Sequence, residues 1–224
     1  PAPKAGLNVL YVNSIVPYKQ RKVKILNGSH TCLVPVSYLA GIDTVRETIE
    51  DPQLGKFVRE YIFDEVIPTI DIPHDQMVAY SNSVLERYGN PFVRHELMSI
   101  ALNSVTKYKT RNLPVVLQSI EAGSFPKHAL FSLAALIAFY RGKRGNEDIA
   151  LKDDEWALDF FKKEWSNFDG SKEACRRIVT DFLGLEHHWE LNLNNLKGVT
   201  DFVTDCLYEI ETKPMREALA FIGC

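Results

Sequence analysis

The chain is short of several things that would have named its chemistry early. Its four cysteines, Cys32, Cys175, Cys206 and Cys224, form no CxxC pair, which removes the usual zinc and dithiol motifs and leaves reduced thiols as the plain reading. Charge of one sign is scarce: 26 basic against 29 acidic side chains leave a formal net charge of -3. That balance disfavours binding to nucleic acid or an anionic membrane surface. The longest nearly unbroken apolar run, Ala129 to Tyr140, is too short to span a bilayer and reads as a buried helix. No export signal opens the sequence, so the cytoplasm is the expected compartment. Internal repeats, low-complexity tracts, a Gly-x-Ser-x-Gly elbow and a GxGxxG turn are also missing.

What is present is helical periodicity across 224 residues, enough for one large domain. After one β-branched and aromatic run, Asn8 to Val12, apolar residues recur at three and four positions. Asp51-Pro52 and Asn90-Pro91 each read as a cap followed by proline at the first helical position. Further helices are expected near 75–88, 113–121, 126–141, 154–167, 171–183, 199–210 and 213–221, with Gly89, Gly123, Gly142 and Gly184 as stops. The polar stretch Arg141 to Glu155 reads as a surface loop. The expected fold class is all-α with a short β segment at its start. Residues 15–224 form one helical domain, and 1–14 are the end of something else. The start at Pro1-Ala2-Pro3, close before the β-like run, suggests a piece of a longer protein.

The informative segment is Tyr18 to His30, YKQRKVKILNGSH. At roughly 100° per residue on an α-helix, Lys22, Asn27 and His30 fall within an arc of about 140° shared with Val23, Leu26 and Leu33. Arg21, Lys24 and Thr31 project the other way, as solvated residues should. A lysine on the apolar face would be desolvated, with a lowered pKa, and suited to proton transfer near neutral pH. Asn27 and His30 can donate hydrogen bonds to an oxygen held against it. The same spacing also fits a snorkelling Lys22 stem, a helix end at Asn27-Gly28 and a satisfied core histidine at His30.

The motif Lys22-x4-Asn27-x2-His30 resembles the catalytic motif of the mannitol dehydrogenase family, the polyol-specific long-chain dehydrogenases. Val16-Pro17-Tyr18, Leu39 to Glu47, Asn90-Pro91-Phe92, Ile100 to Ser104, Lys109 to Pro114 and Phe131 to Gly142 extend the resemblance over nearly the whole chain, toward the branch acting on keto-uronates such as tagaturonate. The resemblance implies a multi-helical C-terminal domain similar to that of 6-phosphogluconate dehydrogenase. It also implies NAD held mainly by an N-terminal Rossmann domain absent from this chain, so the fragment alone is expected to be inactive. In that reading Lys22 is the general acid/base, and Asn27 and His30 position and polarise the reacting oxygen. Lys107 matches a second family lysine that contacts substrate, and its helical spacing places it on a stripe with Leu97, Ile100 and Ser104. Relatives acting on neutral polyols carry an arginine where this chain has Ser99. A uronate needs a cationic partner, with Lys107, Arg111 and Arg94 as candidates; Arg94 fits a solvated helix position equally well, and Arg111 a helix C-terminal charge.

No residue is assigned to cofactor binding, and no metal is expected. His187-His188 lacks ligand spacing, and His74, His95 and His128 read as surface or cap positions without an acidic or cysteine partner nearby in sequence. Alternative readings are a mannitol or fructuronate reductase domain, or a non-catalytic helical scaffold in which Lys22, Asn27 and His30 share no pocket. A domain that normally packs on another should expose an apolar patch, so self-association of the fragment is a further expectation.

Overall fold

The computed structural model describes Gly6, Val9 and residues 11–224. Asn8 and Leu10 of the β-like run therefore lie outside the described residues, while Val9, Tyr11 and Val12 are exposed chain with no strand pairing. The chain then turns helical. Pro17 in the first turn opens α1 (Val16–Arg21), which continues through a π-helical segment, Lys22–Asn27, into α2 (Gly28–Leu39). Thr44 and Glu47 form a reciprocal capping box that starts α3 (Val45–Glu50). The Asp51 carboxylate accepts from the Gln53 and Leu54 amides and starts α4 (Pro52–Glu60), as its sequence implies. A second π-helical segment, Tyr61–Val66, and a 3-10 turn, Ile67–Thr69, lead on to α5 (His74–Tyr88).

Asn90-Pro91 does not open a helix. The Asn90 side chain accepts from the Phe92 amide at 2.9 Å, turning the chain, and Glu96 then makes an isolated bridge with Thr44. The helix expected there is split into α6 (Leu97–Ile100) and α7 (Ser104–Arg111), parted where Asn103 takes a left-handed conformation, φ 52°. α8 (Leu113–Glu121), α9 (Lys127–Phe139), α10 (Glu155–Ser166), α11 (Lys172–Leu183), α12 (Glu186–Trp189) and α13 (Val199–Thr212) follow. Where one last helix is expected over 213–221, α14 (Met215–Ala218) gives way to a 3-10 turn at Leu219–Ile222. The polar loop holds a two-residue antiparallel ladder, β1 (Lys143–Arg144) with β2 (Glu147–Asp148), the only sheet among the described residues. The all-helical expectation holds.

The core is built around α9. Every residue from His128 to Phe139 is buried, so this helix is apolar on all sides and lies at the centre. α2 and α13 pack against it, α11 packs on α13, and the Ser132 hydroxyl ties α9 to the Cys32 carbonyl of α2 at 2.8 Å. α2 is thereby fixed from behind, and it carries the N-terminal motif on its leading end. No helix among the described residues is long and apolar enough to cross a membrane.

Candidate active site

Lys22 and Asn27 open and close the first π-helical segment. A π-helix pairs residue i with i+5, so these two side chains stand one above the other, whereas in an α-helix they would diverge by about 140°. His30, three residues into ordinary helix, lies on the face adjoining Asn27. The spacing of five and then three is matched to a π turn followed by an α turn.

Widening the helix loosens its carbonyls, and side chains take them up. The Ser29 hydroxyl donates to the Ile25 carbonyl, and the Tyr88 phenol to that of Leu26 at 2.7 Å. The Asn27 carbonyl accepts from Thr31 Oγ1 at 3.1 Å and from the Arg111 guanidinium at 3.4 Å, and the Gly28 carbonyl from Asn112 Nδ2 at 3.0 Å. α5, α7 and the Asn112 junction thus hold the unusual turn in place.

An open cavity of about 480 Å³ adjoins this segment, lined by Lys22, Leu26, Asn27, His30, Arg87, Tyr88, Asn90, Val93 and His95. The three motif residues share it, which counts against the scaffold alternative. Arg87, Tyr88, Asn90 and His95 have no local sequence signal, because they arrive from the end of α5 and the turn after it, some sixty residues away. The lining contains no carboxylate. His30 stacks on Tyr88 with ring centroids 4.4 Å apart and meets the His95 ring edge-on at 5.0 Å. Burial, reinforced by the charges of His95, Arg111 and Arg87, pulls the His30 pKa down to about 3, so the imidazole is neutral at physiological pH. Its Nε2 is buried without a protein partner. A neutral ring with an unsatisfied nitrogen beside a cavity is suited to a hydrogen bond with a ligand oxygen.

The lysines are placed differently from the helical-wheel reading. Lys22 is exposed at the cavity wall, not desolvated. Lys24, expected in solvent, is 6 % exposed, and its ammonium donates to the Thr69 carbonyl at 2.9 Å, Thr69 Oγ1 at 3.1 Å and Gln118 Oε1 at 2.5 Å. All three of its donors are used, and burial lowers its pKa. Thr31 is also buried, and Arg21 is half-buried with its guanidinium 4.2 Å from the Tyr80 ring centroid. The cause is the π segment: one extra residue per turn slips the register between α1 and α2, so a wheel drawn at one angle exchanges the two lysines.

Of the cationic candidates, Arg111 lies behind the motif, donating to Asn27 and to Thr31 Oγ1 at 3.1 Å, with its pKa lowered by burial. Lys107 is not on a continuous stripe with Leu97, because the chain breaks at Asn103; its ammonium folds back onto the Ile100 carbonyl at 2.8 Å. Partial burial, then the Arg111 charge, lowers the Lys107 pKa. Arg94 lies outside the cavity, fully exposed and paired with Glu96. Ser99 is exposed on α6. Two histidines also depart from expectation. His95 lines the cavity, and His128 is 2 % exposed between Glu60 and Glu65. His74 is exposed at the start of α5, while His187 is exposed and His188 buried on α12.

Fold and site together define an all-helical domain that presents a lysine, an amide and a neutral imidazole at one open, carboxylate-free cavity. A family model described as the mannitol dehydrogenase C-terminal domain matches residues 14–211, and the chain belongs to that family. It is 44 % identical over 217 residues to an altronate oxidoreductase of Klebsiella pneumoniae (strain 342). It is 43 % identical to altronate oxidoreductases of Enterobacter sp. (strain 638) and Escherichia coli O1:K1 / APEC. These alignments take in 96 % of the chain but 45 % of each relative, so the chain spans about half the length of the curated relatives it matches. Among solved structures it resembles a Pseudomonas fluorescens mannitol 2-dehydrogenase in ternary complex with NAD and D-mannitol, with a TM-score of 0.85, 20 % identity, and 97 % of this chain and 43 % of that chain covered. A substrate-free D-sorbitol dehydrogenase gives a TM-score of 0.77 at 22 % identity, covering 98 % and 43 %. At those identities the likeness establishes the fold.

Proposed function

We propose that this chain is the substrate-binding and proton-transfer domain of an NAD-dependent oxidoreductase that interconverts tagaturonate and altronate. The relatives of 43–44 % identity bear the name altronate oxidoreductase, which supports the substrate class. The observation that carries the reading is the π-helical segment that brings Lys22, Asn27 and His30 to one cavity. Residues 15–224 form the helical domain in this reading, and residues 1–14 lead out of a nucleotide-binding domain.

The described residues contain no parallel βαβ unit and no glycine-rich turn, so they do not themselves offer a dinucleotide cradle. The chemistry NAD contributes in such a reaction is the hydride. This chain's residues handle the oxygen. Asn27 Nδ2 and His30 donate to the keto oxygen and stabilise the negative charge that develops there, and the Lys22 ammonium delivers the proton that turns it into a hydroxyl. In the oxidative direction neutral Lys22 takes that proton back. Exposure of Lys22 in this chain means that its desolvation must come from whatever covers the cavity, and a nucleotide-binding domain packed over the site would supply it. In the same reading Arg87, on the cavity wall, is better placed than Arg94 to meet the uronate carboxylate.

A mannitol- or fructuronate-reducing domain is the alternative within the family, and the intact protein assayed against hexuronates and neutral ketoses separates them. For the mechanism, Lys22→Ala in the intact protein is expected to cut turnover by about 10²–10⁴-fold with cofactor affinity nearly unchanged. Turnover retained at neutral pH would remove Lys22 from the reaction.

A further inference from the structure

A second group of reactive side chains lies outside the cavity. Glu60 ends α4, His128 is the second residue of α9, and Cys224 follows the Leu219–Ile222 turn. His128 Nε2 is 3.0 Å from Glu60 Oε2, Cys224 Sγ is 3.2 Å from the same oxygen, and the three ligand-type atoms all lie within 4.8 Å of one another. Residues 60, 128 and 224 are too far apart in sequence for any spacing motif to reveal them.

The surroundings are those of a metal-binding histidine. His128 Nδ1 faces Glu65 Oε1 at 2.7 Å, and Glu65 is itself fixed, accepting the His128 amide at 2.7 Å and the Ala129 amide at 2.9 Å. A carboxylate behind one ring nitrogen sets the tautomer and aims the lone pair of the other nitrogen at a metal. Both ring nitrogens thus lie within hydrogen-bond distance of carboxylate oxygens, Nδ1 of Glu65 and Nε2 of Glu60. Glu65 has a structural task in holding the first turn of α9; Glu60 pairs with Lys56 through Oε1 at 3.5 Å, which leaves Oε2 to His128 and Cys224 Sγ. The segment carrying Cys224 is pinned: Lys56 Nζ donates to the Gly223 carbonyl at 2.5 Å, and Lys127 Nζ to that of Ile222 at 2.6 Å.

We propose that Glu60, His128 and Cys224 bind a zinc ion, with water as fourth ligand and Glu65 as the positioning residue. Binding releases the thiol proton of Cys224, and the metal takes the lone pair of His128 Nε2. A nitrogen, an oxygen and a sulfur donor suit Zn²⁺ at bond lengths of about 2.0–2.3 Å, which puts ligand atoms about 3.5 Å apart. The observed 3.0 and 3.2 Å need only slight opening. The Glu60 side chain is 29 % exposed, which gives a route for ion and water. Such a site would clamp the segment after α14 onto α4 and α9.

The test is a Zn²⁺ titration of the intact protein after chelator treatment, followed by Co²⁺ substitution. One saturable equivalent is expected, with the near-ultraviolet thiolate-to-cobalt band. Cys224→Ser should abolish that band and weaken Zn²⁺ binding at least about 100-fold, and Glu65→Gln should weaken binding about 10–100-fold while leaving the band in place. His128 is buried and its replacement endangers folding, so Cys224→Ser and Glu60→Gln, at partly exposed positions, carry the decision. No saturable binding, or binding and band unchanged in both variants, overturns the proposal.

Discussion

Lys22 and Lys24 are separated by one residue, yet one stands at a cavity wall and the other is enclosed by Thr69 and Gln118. Residue identity thus counts for less than the register in which each residue is presented. His30 gives the sharpest consequence at this scale. Its folded pKa of about 3 lies below the ordinary histidine value, so between those limits the unfolded chain holds a proton that the folded chain refuses. Acidification through that window therefore favours unfolding, and the His30 contribution is fully present only above about pH 6.5. Between pH 6.5 and 5 it should account for about 1.6 kcal/mol of lost stability. Denaturant titrations of the parent and of His30→Gln at both pH values check this, and equal losses in the two would contradict it. Arg87 offers a test of substrate class. Arg87 lines the same cavity, so under the proposed activity Arg87→Met in the intact protein should raise KM for tagaturonate by about 10–100-fold, the worth of one charged hydrogen bond. A neutral ketose should feel little of it, and an equal rise for both would make Arg87 a purely structural residue.

Among the elements, the π-helical segment decides the site. The helices themselves were largely legible from apolar periodicity and caps: Asp51 at α4, the buried run of α9 and the polar loop after it all stand where the pattern puts them. That Lys22, Asn27 and His30 share one cavity was legible too, but for a reason the wheel did not contain, because an i to i+5 pairing is invisible to a 100° repeat. Asn90-Pro91 misled because an asparagine side chain serves a tight turn as readily as a helix cap. Arg87 and His95 were not legible at all, since only the packing of α5 and its following turn against the motif brings them in. Deletion of Val23 isolates the π segment's role. With one residue removed the segment can close to α-helical geometry, leaving Lys24 to Asn27 attached to α2 while α1 and Lys22 rotate by roughly 100°. Far-ultraviolet circular dichroism should change little while turnover of the intact protein falls to the level of Lys22→Ala; undiminished turnover would show that the register does not matter.

On the scale of the molecule, the helical core holds one wall of a site and leaves it open. Apolar side chains are exposed in the chain leading into α1 and beside the cavity, with Tyr11 74 %, Ile15 72 %, Phe92 94 % and Val93 56 % exposed. Val93 also lines the cavity, so burying that rim would in the same act withdraw Lys22 from water. A nucleotide-binding domain seated there fits the proposed division of labour, in which one part of the protein moves the hydride and this part moves the proton. The most direct test is a crystal structure of the intact protein with NAD and altronate. The reacting hydroxyl oxygen is expected within about 3 Å of Lys22 Nζ, Asn27 Nδ2 and a His30 ring nitrogen, with the carboxylate toward Arg87. An altronate bound with that oxygen away from all three side chains, and Lys22 still in open solvent, would contradict it.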